Sequence, residues 1–226
     1  MKKILLMITL LSVLCLSGCG KDKMALTYET DKDEYITKNS TGANVAEISF
    51  EIPVFTNEKY ETIADAMKQE KELFFEEYKD TFDAYISDGE ESDYREGYFP
   101  YYCTSKIQSI NTIQERYCSV ITEFEWYVGG THTFDTVPYN YSIEDGEKIA
   151  LSTICDLSEE EIKKKIRKGL DRQKIEYDEF AQETINAYGI DDFSFYFDHD
   201  GIYVIFPTGE ISSNADGCIT IPIVNF

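Results

Sequence analysis

Two long β-prone runs lying side by side in the chain constrain its fold more than any other stretch. Residues 98–132 read YFPYYCTSKIQSINTIQERYCSVITEFEWYVGGTH, and Tyr, Phe, Ile, Val and Thr are the residues that fit a pleated, half-buried surface. A break near Asn111-Thr112 predicts a long antiparallel hairpin. Its second arm ends in Gly129-Gly130, where the lack of side chains lets the chain turn sharply or approach another backbone. Mixed strand and helix segments flank the hairpin on both sides. The expected fold class is therefore α+β: a twisted antiparallel sheet built on this central hairpin, carrying both halves of the chain, with helices packed on it.

The flanking segments fill in that expectation. Residues 26–38 and 44–55 alternate or run apolar around the turn Asn39-Ser40-Thr41-Gly42 and predict a first hairpin, with Pro53 holding its second strand to an edge or an early end. Between residues 57 and 86, Tyr60, Ile63, Met67, Phe74, Tyr78, Phe82 and Tyr85 recur at helical spacing and give one long amphipathic helix. Residues 87–96 form an acidic loop without the ligand spacing of a calcium loop. After the central hairpin comes a strand over 133–143, closed by the Asp145-Gly146 turn. Ser158 and Glu161 then form a capping box before the stripe Ile162, Ile166, Leu170. Asp178 caps a shorter helix running to Gly189. Strands are expected over 193–197 and 202–206, around Asp198-His199-Asp200-Gly201, and over 218–224. The whole is one ectodomain, residues 28–226, with an N-terminal half 28–97 and a C-terminal half 98–226.

The beginning of the chain points to a location. Lys2-Lys3 followed by an apolar run from Ile4 to Leu16 reads as a signal peptide over residues 1–18. The run ends in Leu16-Ser17-Gly18-Cys19. These residues resemble the lipobox of bacterial lipoproteins, which implies a diacylglycerol thioether on Cys19. Residues 19–27 are then the lipidated Cys and a tether, and two acyl chains give stable anchoring. No apolar run of membrane length follows Cys19. The expected location is the extracytoplasmic face of the cell membrane, reached through lipid alone.

Charge limits the partners. With 43 acidic residues against 21 basic and a net charge of −22, the field repels nucleic acid and anionic lipid and favours encounter with cationic proteins. Lys163, Lys164 and Lys165, the only basic cluster, stand four residues after Glu159, Glu160 and Glu161, which pairs them within their own helix. Outside the signal and the lipobox the cysteines are Cys103, Cys118, Cys155 and Cys218. Cys103 and Cys118 lie on opposite arms of the hairpin and face each other if the turn falls at Ile110-Asn111, making them the favoured disulfide; four buried thiols are the alternative.

Catalytic signatures are missing. The sequence holds 2 His and no HExxH, GxSxG, CxxC, GxGxxG or P-loop pattern, so no enzyme activity, cofactor or metal is expected. His132 is the singular polar position. With Trp126, Tyr127, Gly129, Gly130, Thr131 and Phe134 it forms a candidate binding rim, or else its imidazole bonds a backbone carbonyl and fixes the turn. His199 reads as part of a turn.

The order helix, long hairpin ending W-Y-V-G-G-T-H, D-G turn, K-I-A-L-S-T-I-C-D-L, helix, F-Y-F-D-H-D-G-I-Y-V-I-F and G-C-I-T-I-P resembles an extracytoplasmic domain. That domain is shared by the lysozyme-sensing anti-sigma factor RsiV and the non-catalytic region of the peptidoglycan deacetylase PdaC. The resemblance implies a binding or sensing domain whose partner is a lysozyme-like cationic protein or peptidoglycan. It implies neither deacetylation nor sigma-factor control. The alternatives are an envelope hydrolase or transferase with an unrecognised carboxylate site, and a structural partner of another envelope protein.

Overall fold

The computed structural model describes residues 26–38, 42–88, 101–128 and 132–226. The lipobox with Cys19, the tether up to residue 25, Gly129-Gly130-Thr131 and most of the acidic loop fall outside them. Among the described residues no helix is long and apolar enough to cross a membrane.

Strands β1 (Tyr28–Lys38), β2 (Asn44–Phe55), β3 (Tyr101–Ile113), β4 (Tyr117–Val128) and β5 (His132–Ser142) form a five-stranded sheet in sequential order. Helix α1 (Glu61–Asp88) links β2 to β3, and those two strands pair in parallel while every other pair is antiparallel. A parallel pair needs a crossover of this kind, because a tight turn can join only antiparallel neighbours. The expected all-antiparallel sheet is thus mixed at one joint. Asn57 starts the helical segment by accepting the Lys59 N–H at 3.0 Å. Ile63, Met67, Phe74 and Phe82 of α1 are buried against Ile48, Phe50 and Ile52 of β2. The Phe50 and Phe74 rings meet edge to face at 5.2 Å, a favoured aromatic geometry.

The expected single sheet is two. Beyond α2 (Glu159–Gln173) and α3 (Glu179–Ala187), strands β6 (Phe195–Phe197), β7 (Gly201–Phe206) and β8 (Ile219–Asn225) form a separate three-stranded antiparallel sheet. It owns a second core, in which Ile162, Ile166 and Leu170 of α2 and Ile185 of α3 pack with Phe197, Val204 and Ile221. The boundary between the two layers falls after β5, so the central hairpin shares a sheet with the N-terminal strands. Ile113 and Tyr117, at the tip of that hairpin, pack into the second core. Asn140 of β5 donates to the Phe195 carbonyl at 2.6 Å. The small layer is therefore seated on the tip end of the large sheet.

Local readings of the helices hold. Ser158 accepts from Glu161 N–H while the Glu161 carboxylate accepts from Ser158 N–H at 2.9 Å, the reciprocal capping box. Asp178 accepts from Ala181 N–H at 3.0 Å. Lys163 is buried, with Nζ donating to Glu159 at 2.6 Å and to the Asn186 carbonyl at 2.7 Å, so part of the basic cluster is spent on docking α2 to α3.

The hairpin turn is displaced from its expected place. It lies at Gln114-Glu115, both with φ of 54°, closed by Arg116 N–H to Ile113 C=O at 3.1 Å. Two successive left-handed residues give the turn a twist that suits a hairpin, with Arg116 completing a three-residue connection between Ile113 and Tyr117, but Asn-Gly is the usual sequence signal for such a pair, which Gln-Glu does not give. The shift also removes the favoured disulfide. Cys103 stands opposite Trp126 and Cys118 opposite Thr112, separating the two along the hairpin by on the order of 30 Å at ~3.3 Å per residue, far beyond bridging distance. Both are free thiols, as are Cys155 and Cys218, and burial pushes the Cys118 thiol up to about 12.

Two substitutions test this architecture. A methyl group at Gly169 of α2 would lie 2.4 Å from Cγ2 of Ile221, which is fully buried. Gly169→Ala, which helix propensity alone would favour by about 1 kcal/mol, should instead lower the urea-unfolding free energy by on the order of 1–2 kcal/mol through overpacking. Glu115→Gly should raise it by about 0.5–1 kcal/mol by relieving the left-handed backbone, since the exposed Lys59–Glu115 pair contributes little.

Candidate functional site

Side chains alternate across each strand, so the large sheet has two faces of different character. Trp126 points toward α1, where its ring stacks on Phe82 at 5.2 Å and meets Tyr78 at 5.2 Å. Tyr127, one residue on, points the other way. The candidate rim therefore divides: Trp126 belongs to the core, while Tyr127 and His132 share the outer face. A contiguous run of aromatic residues in a strand cannot line one surface.

On the outer face, cross-strand register assembles two rows. Ile36, Glu47, Tyr102, Tyr127 and His132 stand opposite one another across all five strands. Glu34, Ser49, Thr104, Glu125 and Phe134 form the next row. Tyr102 stacks on Tyr127 at 5.4 Å with 25° between the planes. His132 lies 4.1 Å from the Phe134 ring, which is 50% exposed. The small layer covers the tip end of this face and reaches the β5 edge through Thr208, which donates to the Phe134 carbonyl at 3.0 Å and to Asp135 at 2.7 Å. Ser49 and Thr104 in mid-row are buried, while Glu34, Ile36, His132 and Phe134 stay exposed.

The rows are joined through one carboxylate. Tyr102 Oη donates to Glu125 Oε1 at 2.9 Å. His132 Nε2 lies 2.8 Å from the same oxygen and 3.1 Å from Tyr102 Oη. An ionised carboxylate only accepts, so Nε2 carries the proton here. Lys106 Nζ approaches Glu125 Oε2 at 3.8 Å. His132 thus anchors on a side-chain carboxylate from the neighbouring strand. Partial burial would raise the Glu125 pKa, but hydrogen bonds from His132 and Tyr102 and the nearby Lys106 charge outweigh it and hold the carboxyl below its usual range. Lys32 bridges Glu34 at 2.5 Å and Glu47 at 3.2 Å. A rigid ring pair, a fixed imidazole and a surplus of carboxylates can receive cationic and amphipathic groups. Tyr102 and Glu125 were not foreseen as site residues. They are conspicuous only once the register is known.

His199 stays in its turn. Asp198 Oδ1 accepts from the N–H groups of Asp200 at 2.7 Å and Gly201 at 3.1 Å, the usual Asx closure. Asp198, His199 and Asp200 bring possible ligand atoms within 4.8 Å of one another, a proximity that this turn imposes.

Residues 147–224 match a family model described as "Protein of unknown function (DUF3298)". That segment begins at the Asp-Gly turn and takes in α2, α3 and the small sheet. A crystal structure of a DUF3298 family member from Bacteroides fragilis is similar with a TM-score of 0.51 and 17% identity, covering 88% of this chain and 91% of that one. A DUF3298 family protein from Pseudomonas aeruginosa compares with a TM-score of 0.49 and 11% identity, over 88% and 90% of the two chains. No curated protein matches. The likeness to the Bacteroides fragilis structure is one of fold, and it extends over both layers.

Stability should report the Glu125 knot directly. A carboxylate whose folded-state pKa lies below its unfolded value contributes stability above the ordinary carboxylate range and loses it as the pH falls through that range. The unfolding free energy followed by urea titration between about pH 7 and pH 3 should decline less steeply in Glu125→Gln than in the native chain. Equal slopes would show that the carboxylate gains nothing from its partners.

Proposed function

We propose that this chain is the non-catalytic binding domain of an envelope lipoprotein, anchored through Cys19, whose open sheet face docks a cationic protein of the lysozyme kind or a cell-wall component. The observation that carries this reading is the open outer face, where Tyr102, Tyr127, His132 and Phe134 stand among Glu34, Glu47, Glu123 and Glu125. Rings held by stacking present contact area at low entropic cost and serve as anchors. The carboxylates steer a cationic partner, and the net charge of −22 extends that effect. Lys32 and Lys106 on the same face are turned toward carboxylates, which leaves the surface acidic. The sequence resemblance to the domain of RsiV and PdaC supports the same class of partner, and the lipobox supports the location.

The test is a titration of the full-length protein with lysozyme at low and at physiological salt, with insoluble peptidoglycan as the second ligand. Micromolar or tighter binding that survives physiological salt is expected. Tyr127→Ala should weaken it about tenfold, roughly 1.4 kcal/mol. Phe180→Ala, at an exposed ring on α3, should leave it unchanged. Failure to bind either ligand at low salt, or equal losses in the two variants, would sink the proposal.

A further inference from the structure

The large and small sheets do not close completely on one another. Between them lies a cleft of about 470 Å³, within the span of roughly 300–1,000 Å³ in which ligand sites fall, and set between two packed layers as such sites often are. Gln108, Asn111 and Glu123 of β3 and β4 line one side, and Tyr196, Asp198 and Thr220 of the small layer line the other.

Its chemistry is selective. No Lys or Arg lines the cleft while two carboxylates do, which turns away anions. The remaining polar groups are amides, hydroxyls and the exposed His199 imidazole at the Asp198 turn, so carboxylates outnumber the one basic group. The side chains of Gln108 and Glu123 have no partner among the described residues, so a primary amide and a carboxylate stand ready to share hydrogen bonds with a ligand.

The backbone is shaped to deliver one of them. The β3–β4 register slips between Ile107 and Ser109, which leaves Gln108 without an opposite residue. A bulge of this kind re-aims a side chain and is over-represented beside binding sites. Here the irregular stretch is braced from outside the pair, because Ile107 N–H donates to Glu51 Oε2 of β2 at 2.8 Å. The redirected Gln108 side chain reaches the cleft.

The opposite wall supplies a fixed ring. Tyr196 stacks on Tyr203 at 4.8 Å with 14° between the planes, and its phenol bonds the Thr220 side chain. A ring so restrained offers apolar surface at little entropic cost.

We infer that this cleft binds a short uncharged oligosaccharide. The Gln108 amide and the Glu123 carboxylate pair with adjacent hydroxyls, which present donor and acceptor together. The Tyr196 ring meets the C–H face of a pyranose. The two carboxylates, with no Lys or Arg beside them, reject phosphorylated and uronic sugars. The inference goes beyond the proposed function by placing a glycan site apart from the open face, and it rests on that reading only for the source of the glycan.

The test uses the full-length protein and calorimetric titration with two neutral trisaccharides, one of N-acetylglucosamine and one of glucose. Binding at millimolar concentration or tighter is expected for at least one. Preference for the first points to cell-wall glycan and preference for the second to an α-glucan source. Gln108→Ala and Glu123→Gln should each weaken binding fivefold or more without shifting the thermal midpoint, whereas Tyr127→Ala, on the open face, should leave sugar binding intact even where it abolishes lysozyme binding. Failure of both sugars to bind, or unchanged affinity in both cleft variants, would overturn the inference; so would displacement of neither sugar but tight uptake of spermine, which would mark a plain cation site.

Discussion

The two-residue alternation of side chains along β4 is the constraint on which the rest of the molecule depends. One set, Cys118, Val120, Phe124 and Trp126, lies toward α1 and closes the first core. The other begins with Tyr117 in the second core and continues to Glu125 and Tyr127 on the open face. One strand therefore serves two hydrophobic cores and one solvent-facing surface. A slip of a single residue would exchange these roles wholesale. The long pairing of β4 with β3 and β5, nearly uninterrupted apart from the slip at Gln108, fixes that register.

The small layer is seated near one end of the large sheet, where outer-face residues pack into its core. Ile113 and Tyr117 join the second core, and Asn140 ties β5 to the Phe195 carbonyl. Farther along, the outer positions turn to Glu47, Tyr102, Glu125 and His132. Covering these without matched partners would be costly, and the face stays open. Charge and rings thus coexist on it without conflict. Its two Lys residues meet carboxylates, and the imidazole and phenol converge on Glu125.

What was legible in the sequence was local. The capping box at Ser158 and Glu161, the Asp178 cap, the strand Asn44–Phe55 and the apolar stripe of α1 all follow from side chains acting on their own segment. The hairpin was legible too, but its turn was not, because Gln114-Glu115 adopts left-handed backbone without Gly or Asn to announce it. That displacement of a few residues carried the expected Cys103–Cys118 bridge away with it. The candidate rim is divided between two faces for a related reason. Neighbours in a strand point to opposite faces, so Trp126 joined the core while Tyr127 and His132 stayed outside.

By itself the sequence determined which segments are helix and strand, that the fold is α+β, and that the chain is strongly acidic, since periodicity, caps and charge are properties of short stretches. Only the tertiary structure decided that β2 and β3 run parallel, that the strands divide into two sheets, and that Tyr102, Glu125 and His132 meet at one oxygen. These outcomes depend on cross-strand register and on which face each layer covers. Such long-range pairings are settled by burying two separate cores at once, and no local window contains them.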